Sequence, residues 1–163
     1  MDTLRDAYYQ AYVGEAKAAL RLKVFAEVAD KEGYPQIARL FRVIALSEEI
    51  HGGRMLRLLQ KPPSTEENLQ ASFESETRVA GVAYEDFIKL AHETGDDIAV
   101  RIFTHSRDVE AGHARLYKAA MGHLLAERET RYHVCRICGY VEDSTLPDRC
   151  PVCGVPADKF VEY

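Results

Sequence analysis

Apolar residues recur at helical spacing along most of this chain, from about residue 3 to residue 128. Side chains three or four positions apart lie on one face of an α-helix, so the pattern predicts amphipathic helices. Glycine or proline interrupts the pattern in three places, near residues 33–35, 62–64 and 94–97. Glycine suits a helix C-terminus, and Ser64 followed by Glu67 can form a capping box. We therefore predict four helices, over residues 3–31, 35–60, 65–93 and 97–128.

Helical periodicity stops near residue 129, where glycine, proline, cysteine and valine become more frequent. The segment beyond it is about 30 residues long, and a domain of that size needs a metal or disulfides to supplement its small core. We predict a mainly α protein with two domains: a four-helix bundle over residues 1–130 and a small metal-binding domain over residues 131–163.

The composition narrows the range of partners and locations. Of the 163 residues 47% are hydrophobic, and the net charge of −5 gives no reason to expect nucleic acid or an anionic membrane as a partner. The first residues lack the basic-then-apolar order of a signal peptide, and no apolar run is long enough to cross a membrane. We expect a cytoplasmic protein, whose reduced cysteines serve metal binding rather than disulfides.

The two halves of the helical region repeat a sparse pattern of one glutamate followed by Glu-x-x-His, at offsets of 61, 62 and 62 residues. The residues of this pattern are Glu15, Glu48 and His51, then Glu76, Glu110 and His113. One glutamate from each of two helices and one Glu-x-x-His from each of the other two form the ligand set of a two-metal site in a helical bundle. A lone Glu-x-x-His is often only a surface pair, but two at matching positions predict metal ligands.

Each of the four glutamates shares its predicted helix face with apolar residues. Phe41 and Ile44 lie on the face of Glu48, for example, and Phe73 lies on the face of Glu76. Four carboxylates that converge in a buried apolar seam repel one another, and two divalent cations would neutralise them. Oxygen-rich ligand sets with one imidazole for each metal suit iron or manganese.

Other polar residues near these positions are not expected to bind metal. Glu49 and Glu74 lie outside the apolar faces of their predicted helices. Four histidines lack a partner glutamate and are predicted to be ordinary surface residues: His92, His105, His123 and His133.

Two Cys-x-x-Cys-Gly turns occupy the C-terminal segment, with the cysteines at Cys135, Cys138, Cys150 and Cys153. A two-residue spacer lets both sulfurs of a turn bind one ion, glycine permits the tight turn that follows, and backbone N–H groups can point at the sulfurs. Four thiolates in a tetrahedral set indicate iron or zinc, and the spacing alone leaves a structural zinc ribbon open.

The residues that flank the cysteines resemble rubredoxin, in which one iron cycles between ferrous and ferric states. The resemblance rests on Tyr132-His-Val-Cys135, Cys138-Gly-Tyr140 and the run from Cys150-Pro-Val-Cys153 to Phe160. A ferritin-like four-helix bundle with such a tail resembles the rubrerythrin family over essentially the whole chain. The resemblance implies a non-haem di-iron peroxidase that reduces hydrogen peroxide to water and protects against oxidative stress.

The same resemblance implies a role for each group of residues. The six Glu and His residues would bind two iron ions in a carboxylate-bridged site, and Tyr84 would support that site with a hydrogen bond near the metals. The four cysteines would bind one iron (or zinc), which would relay electrons one at a time from a reductase or a rubredoxin.

The chain departs from the family pattern one turn after Glu76, where Val79 replaces a glutamate that the family usually has, and Leu22 stands in place of a second tyrosine. In rubrerythrins that glutamate and the second-helix histidine exchange on one iron as its oxidation state changes. We therefore predict that His51 stays bound in both states. The resulting four-Glu, two-His set is similar to that of bacterioferritin-like oxidases. A ferroxidase or oxidase is thus a second interpretation, and a zinc-stapled helical binding protein without redox chemistry is a third.

The linker between the second and third helices constrains the assembly. In this bundle type these two helices run parallel, so the chain must return about 30 Å along the bundle, whereas residues 60–65 span at most about 20 Å. We predict a homodimer that is domain-swapped between residues 60 and 65, so that the first Glu/His set of one chain meets the second set of the other. The alternative is an up-down-up-down bundle with a tight hairpin at Pro62-Pro63.

Overall fold

The computed structural model describes residues 3–60, 64–122, 130–143 and 145–163, which form two compact units, residues 1–63 and 64–163. The helices are α1 (Leu4–Lys31), α2 (Pro35–Leu59), α3 (Thr65–Arg78), α4 (Tyr84–Thr94) and α5 (Asp97–Gly122). A π-helix (Val79–Ala83) joins α3 to α4, and a 3₁₀-helix covers Ala157–Lys159. The strands are β1 (His133–Cys135), β2 (Val141–Glu142) and β3 (Phe160–Glu162).

The mainly α fold class is confirmed. The predicted helix ends at residues 31, 35 and 65 agree with the structure, while the last predicted turn, residues 123–128, lies outside the described residues. In the portions of the chain that the structure describes, no helix combines the length and the apolar character needed to cross a bilayer. The division into domains at residue 130 stays a prediction.

The first unit is an antiparallel pair of long helices. A capping box between Thr3 and Asp6 starts α1, and the Arg5 guanidinium donates a 2.8 Å hydrogen bond to the Leu59 carbonyl at the far end of α2. Gly33 reverses the chain with φ of 82°, a conformation that glycine adopts without steric cost. The two helices are therefore held together at both ends.

Small residues form the contact between α1 and α2. The buried ones are Ala19, Ala26 and Ala29 of α1, and Ala38, Ala45 and Gly52 of α2. Because such side chains are short, the two backbones approach closely. A Cβ built on Gly52 would lie 3.5 Å from the Cβ of Glu15 and 3.8 Å from the Ala16 nitrogen. At Gly52, helix α2 therefore packs directly against Glu15, one of the predicted metal ligands.

The second unit packs the rod α3–π–α4 against α5. The predicted capping box starts α3: the Ser64 N–H donates to Glu67 Oε2 at 2.7 Å, and the Glu67 N–H donates to Ser64 Oγ at 3.2 Å. Gly95 ends α4 with φ of 72°, and Asp96 Oδ1 accepts the Ala99 N–H at the start of α5. These caps agree with the sequence signals for both helix ends.

The π-helix is a departure from the predicted continuous helix over residues 65–93. The Tyr84 N–H bonds to the Val79 carbonyl five residues back, so this turn holds one residue more than an α-helical turn. An α-helix turns about 100° per residue, which would leave Tyr84 about 80° away from Glu76. With the extra residue absorbed, Tyr84 lies about 20° from the stripe of Glu76. The π-helix therefore brings Tyr84 onto the face of the predicted ligand.

The cysteine-bearing segment forms a three-stranded antiparallel sheet in the order β2-β1-β3. His133 in the central strand is 8% exposed, so the prediction of an ordinary surface histidine was wrong for this residue. Its strand pairs on both sides, so that His133 lies opposite Glu142 of β2 and Glu162 of β3 in the middle of the sheet. His123 lies outside the described residues.

The close packing of Gly52 against Glu15 can be tested by two substitutions at position 52. We expect Gly52→Ala to fold normally, because its Cβ would make an ordinary contact with Glu15. Gly52→Val adds two methyl groups at this close approach, and overpacking of this kind costs about 1–3 kcal/mol. Thermal unfolding followed by circular dichroism checks both variants. Equal stability of the valine variant and wild type would contradict the close contact.

Candidate metal centres

The first unit gathers three of the six predicted ligands. One side-chain donor atom from each of Glu15, Glu48 and His51 lies within 4.8 Å of the others. Glu48 and His51 sit one turn apart on α2, with His51 Nδ1 3.2 Å from Glu48 Oε2. The His51 side chain is 47% exposed, so this half-site opens onto the surface of the helix pair.

The two carboxylates of this half-site are coupled. The hydrogen bond between them raises the pKa of Glu15, and the same bond, together with one from His51, lowers the pKa of Glu48. Glu48 therefore ionises before Glu15 as the pH rises, as expected for two carboxyl groups joined by a hydrogen bond. A cation that bound here would interact with both carboxylates and would favour their ionised forms.

The second unit gathers the other three predicted ligands in the same way. Donor atoms of Glu76, Glu110 and His113 lie within 4.8 Å of one another, and His113 Nδ1 is 2.8 Å from Glu110 Oε2. Burial raises the pKa of Glu76, and the neighbouring carboxylate of Glu110 adds to the effect. The unit thus repeats the donor set of the first: two carboxylates and one imidazole, a set that suits iron.

Several apolar residues of the predicted buried seam are exposed in the single chain. Leu40, on the face of Glu48, is 52% exposed, and Ile102, on the face of Glu110, is 54% exposed. Ile44 and Phe87 are exposed as well. Burial of the seam, as predicted from the sequence, is therefore incomplete in one copy of the chain.

The four cysteines form a compact cluster in the second unit. The sulfurs of Cys135 and Cys153 lie 3.8 Å apart, and those of Cys138 and Cys150 lie 3.5 Å apart. Four thiolates bound at about 2.3 Å to one tetrahedral ion would be separated by about 3.8 Å. The cluster therefore has the size that a single ion requires.

The predicted direction of the backbone N–H groups is confirmed. The Tyr140 N–H donates to the Cys138 sulfur and the Val155 N–H donates to the Cys153 sulfur, at equivalent places in the two turns. Without metal, burial still outweighs these bonds and raises the pKa of both thiols. Gly139 and Gly154 adopt positive φ, which lets each turn close behind its second cysteine. A bound cation would favour the thiolate forms of these two cysteines and so oppose the effect of burial.

Comparison with known proteins identifies the family. The family model described as Rubrerythrin matches residues 8–121, and the model described as Rubrerythrin, rubredoxin-like domain, matches residues 133–161. This chain belongs to the rubrerythrin family.

Individual relatives agree with this assignment. The chain is 34% identical to nigerythrin of Nitratidesulfovibrio vulgaris over 94% of this chain and 83% of that protein. It is 36% identical to rubrerythrin of Porphyromonas gingivalis over 92% of this chain and 84% of that protein. Structures of nigerythrin in a mixed-valence state and in a fully reduced, all-ferrous state each align with a TM-score of 0.60 at 32% identity, over all of this chain and 88% of the other.

Membership of the rubrerythrin family confirms the predicted kinds of cofactor. The chain has a di-iron carboxylate site built from Glu and His groups and a four-cysteine, rubredoxin-like metal site. The assignment of each single residue as a ligand stays a prediction, as does the role of Tyr84. The Tyr84 ring packs against Phe87 and Phe103, with centroids 5.8 and 6.3 Å away. The spacing of hydrophobic residues did not predict the π-helix that turns Tyr84 towards the helix face of Glu76. Within this segment the sequence offered only Gly81 as a sign of irregular helix geometry.

The raised pKa of Glu76 predicts a conflict between metal binding and stability. In metal-free protein the folded state holds this proton more tightly than the unfolded state. This protonation therefore stabilises the folded state fully at a pH below the ordinary glutamate pKa. The stabilisation is lost as the pH rises through the higher pKa that Glu76 has in the folded protein. We expect Glu76→Gln to unfold at a higher temperature than wild type at pH 7 without metal, and to bind iron at least roughly tenfold more weakly.

The control is Glu74→Gln, at an exposed position two residues before Glu76, where the side chain is hydrogen-bonded to Gln70. This variant should change neither the unfolding temperature nor the affinity for iron. The stability advantage of Glu76→Gln should disappear near pH 4, where the wild-type carboxyl is protonated. Equal melting temperatures for Glu76→Gln and wild type at pH 7 would contradict the carboxylate conflict.

Proposed function

We propose that this chain is a peroxidase that reduces hydrogen peroxide to water, with electrons supplied through its four-cysteine iron. One observation carries the proposal: a Glu/His two-metal set and a four-thiolate site occur together in one chain. When bound, two ferrous ions supply the two electrons that O–O cleavage requires, and the thiolate-held iron replaces them one at a time. A one-electron relay beside a two-electron site suits peroxide reduction and has little use in iron storage.

The residues of the two half-sites would bind the metals and handle protons. Reduction of one peroxide consumes two electrons and two protons and yields two waters. The hydrogen bond to Glu48 raises the pKa of Glu15, so the Glu15 carboxyl is the one of this pair that would more readily hold a proton. Tyr84, on the stripe of Glu76, would donate its hydroxyl proton in a hydrogen bond to the site. Electrons would enter from a reductase or a rubredoxin outside the chain.

A ferroxidase or oxidase is the second candidate, and Val79 favours it. This residue starts the π-helix next to Glu76 and offers no carboxylate to replace His51. A site that keeps one ligand set in both oxidation states is similar to that of bacterioferritin-like oxidases. The two candidates differ in the oxidant that they consume faster.

We also propose that the active form is a homodimer that is domain-swapped between residues 60 and 65. Each unit provides three donors, so a two-metal bundle site with six ligands needs one unit of each kind, and in the swapped dimer these two units come from different chains. The exposed apolar residues around both half-sites, such as Leu40 and Ile102, would become buried. The linker is also too short for the predicted return along the bundle. Its residues 61–63 lie outside the described residues.

The peroxidase proposal predicts a fixed stoichiometry. Protein reduced anaerobically should lose two electron equivalents for each hydrogen peroxide added, with the four-cysteine absorption returning in step. Stopped-flow comparison with oxygen tests the preference. Consumption of oxygen as fast as peroxide would contradict a peroxidase and favour the oxidase. Purified protein with zinc at every site and no visible absorption would favour the non-redox binding protein.

The swapped dimer predicts which metal sites stay intact in heterodimers that carry two substitutions. The substitutions are Glu15→Ala in the first half-site and Glu110→Ala in the second. With both lesions on one chain and a wild-type partner, each swapped site loses one ligand, so no intact site remains. With the lesions on separate chains, both fall in the same swapped site and the other stays whole.

Iron bound per tagged, purified heterodimer measures the result, and sedimentation first establishes the mass of a dimer. Greater iron retention when both lesions share a chain would contradict the swap. A monomer that keeps two irons in its Glu/His site would also contradict it.

A further inference from the structure

A cavity of about 350 Å³ lies in the second unit, between α3, α5 and the segment that forms the small sheet. His113, one of the predicted metal ligands, forms part of its wall, and His113 Nδ1 lies 2.8 Å from Glu110 Oε2. The remaining walls are aliphatic and aromatic side chains: Leu69, Leu116, Tyr117, Ala120, Tyr132 and Val141. The cavity therefore adjoins the donor group of the second unit directly.

The cavity follows the groove between α3 and α5 in which this donor group lies. Leu69 is seven residues before Glu76 on α3, and Ala120 is seven residues after His113 on α5. Seven residues of an α-helix rise about 10 Å. The cavity thus extends from His113 about 10 Å along the groove, towards the start of α3 and the end of α5.

The lining favours an uncharged ligand with an apolar body. Among the described residues that line the cavity, none carries a fixed charge, and the polar groups are two phenol hydroxyls and the imidazole of His113. A carboxylate or ammonium group would lose its hydration here without gaining an opposite charge. An apolar group would gain free energy, because it would remove apolar wall surface from water.

The volume is larger than hydrogen peroxide alone requires. One water molecule takes up about 30 Å³ of the liquid, and hydrogen peroxide has only one further oxygen atom. Cavities that bind small organic molecules measure roughly 300–1,000 Å³ and combine apolar walls with a few polar groups. The cavity is at the small end of this range, so it suits a branched alkyl group or a single ring.

We infer that this cavity binds the organic group of uncharged alkyl hydroperoxides, and that the chain reduces these compounds as well as hydrogen peroxide. The inference rests on the peroxidase function proposed above and extends its substrate class. The organic group would lie between Leu69 and Ala120, and the hydroperoxide group would lie at the His113 end, beside the donor group.

The reaction balances in the same way as the reduction of hydrogen peroxide. One alkyl hydroperoxide accepts two electrons and two protons, its O–O bond breaks, and one alcohol and one water form. The electrons are those that the proposed function already supplies, and an external one-electron donor replaces them.

Cumene hydroperoxide, which is uncharged and has one ring, is the probe for this activity. Protein reduced anaerobically with dithionite, and then freed of dithionite, is mixed with either peroxide under stopped flow. The return of the ferric four-cysteine absorption gives the rate, and gas chromatography identifies the organic product. We expect both peroxides to reoxidise the protein, with 2-phenylpropan-2-ol as the product of cumene hydroperoxide.

The outcomes separate the inference from the function on which it rests. Reoxidation by hydrogen peroxide without reoxidation by cumene hydroperoxide would overturn the inference and leave the proposed function standing. Acetophenone as the main product would indicate one-electron cleavage of the O–O bond and would also overturn the inference. If neither peroxide reoxidises the protein, the proposed function and the inference both fail.

Substitutions in the cavity test where the organic group binds. Ala120→Phe would place a ring in the cavity and should lower the ratio of the cumene hydroperoxide rate to the hydrogen peroxide rate roughly tenfold or more, since even one methylene too many in an apolar pocket has an effect of this size. Ala119→Phe is the matched control, because it makes the same change at the exposed neighbouring position. Equal ratios in these two variants would overturn the inference.

An enlarged cavity provides a test that does not depend on the folding of Ala120→Phe. Leu69→Ala removes bulk from the wall, so it should raise the rate with the larger diisopropylbenzene hydroperoxide relative to the rate with cumene hydroperoxide. An unchanged ratio of these two rates would contradict the placement of the organic group beside Leu69.

A binding measurement needs neither iron nor peroxide. In zinc-loaded protein, the unreactive alcohol 2-phenylpropan-2-ol should cause saturable shifts in the NMR signals of the Leu69, Leu116 and Val141 methyl groups. Ala120→Phe should weaken this binding, and Ala119→Phe should not. The absence of saturable shifts in wild-type protein, up to the solubility of the alcohol, would overturn the assignment of the cavity.

Discussion

Repulsion between carboxylates that helices hold side by side is the constraint on which this molecule depends. The hydrogen bond to Glu48 raises the pKa of Glu15, and burial together with the neighbouring Glu110 raises the pKa of Glu76. Neither pair would be arranged this way for stability alone, because separated carboxylates would be solvated better. Divalent cations resolve the conflict, and their binding energy then becomes part of the stability of the assembled bundle.

The packing around these glutamates is adapted to hold them in spite of that repulsion. Alanines and Gly52 bring α1 and α2 close together, with Gly52 of α2 directly against Glu15 of α1. Larger apolar residues, such as Leu40 and Ile102, are left exposed in a single copy. A helix pair with a small-residue core and an exposed apolar face suits assembly with another pair, which agrees with the proposed dimer.

The sequence predicted the residues whose chemistry depends on spacing. Glu48 and His51 are one turn apart on any α-helix, and Cys135 and Cys138 share a turn in any fold that accommodates them, so both groupings appear in the structure as expected. Features that depend on tertiary contacts did not follow from spacing. The π-helix at Val79 changes the register of Tyr84 without altering the hydrophobic pattern. His133 is buried in the central strand of a sheet whose order β2-β1-β3 does not follow from the spacing of residues.

The central claim is that two carboxylate half-sites from different chains share one pair of metals. Anomalous diffraction from crystals of the iron-loaded protein tests it most directly. We expect two neighbouring iron peaks, with Glu15, Glu48 and His51 of one chain on one side and Glu76, Glu110 and His113 of the other chain on the opposite side. Six ligands from a single chain around the two irons, or one isolated iron in each half-site, would contradict the account.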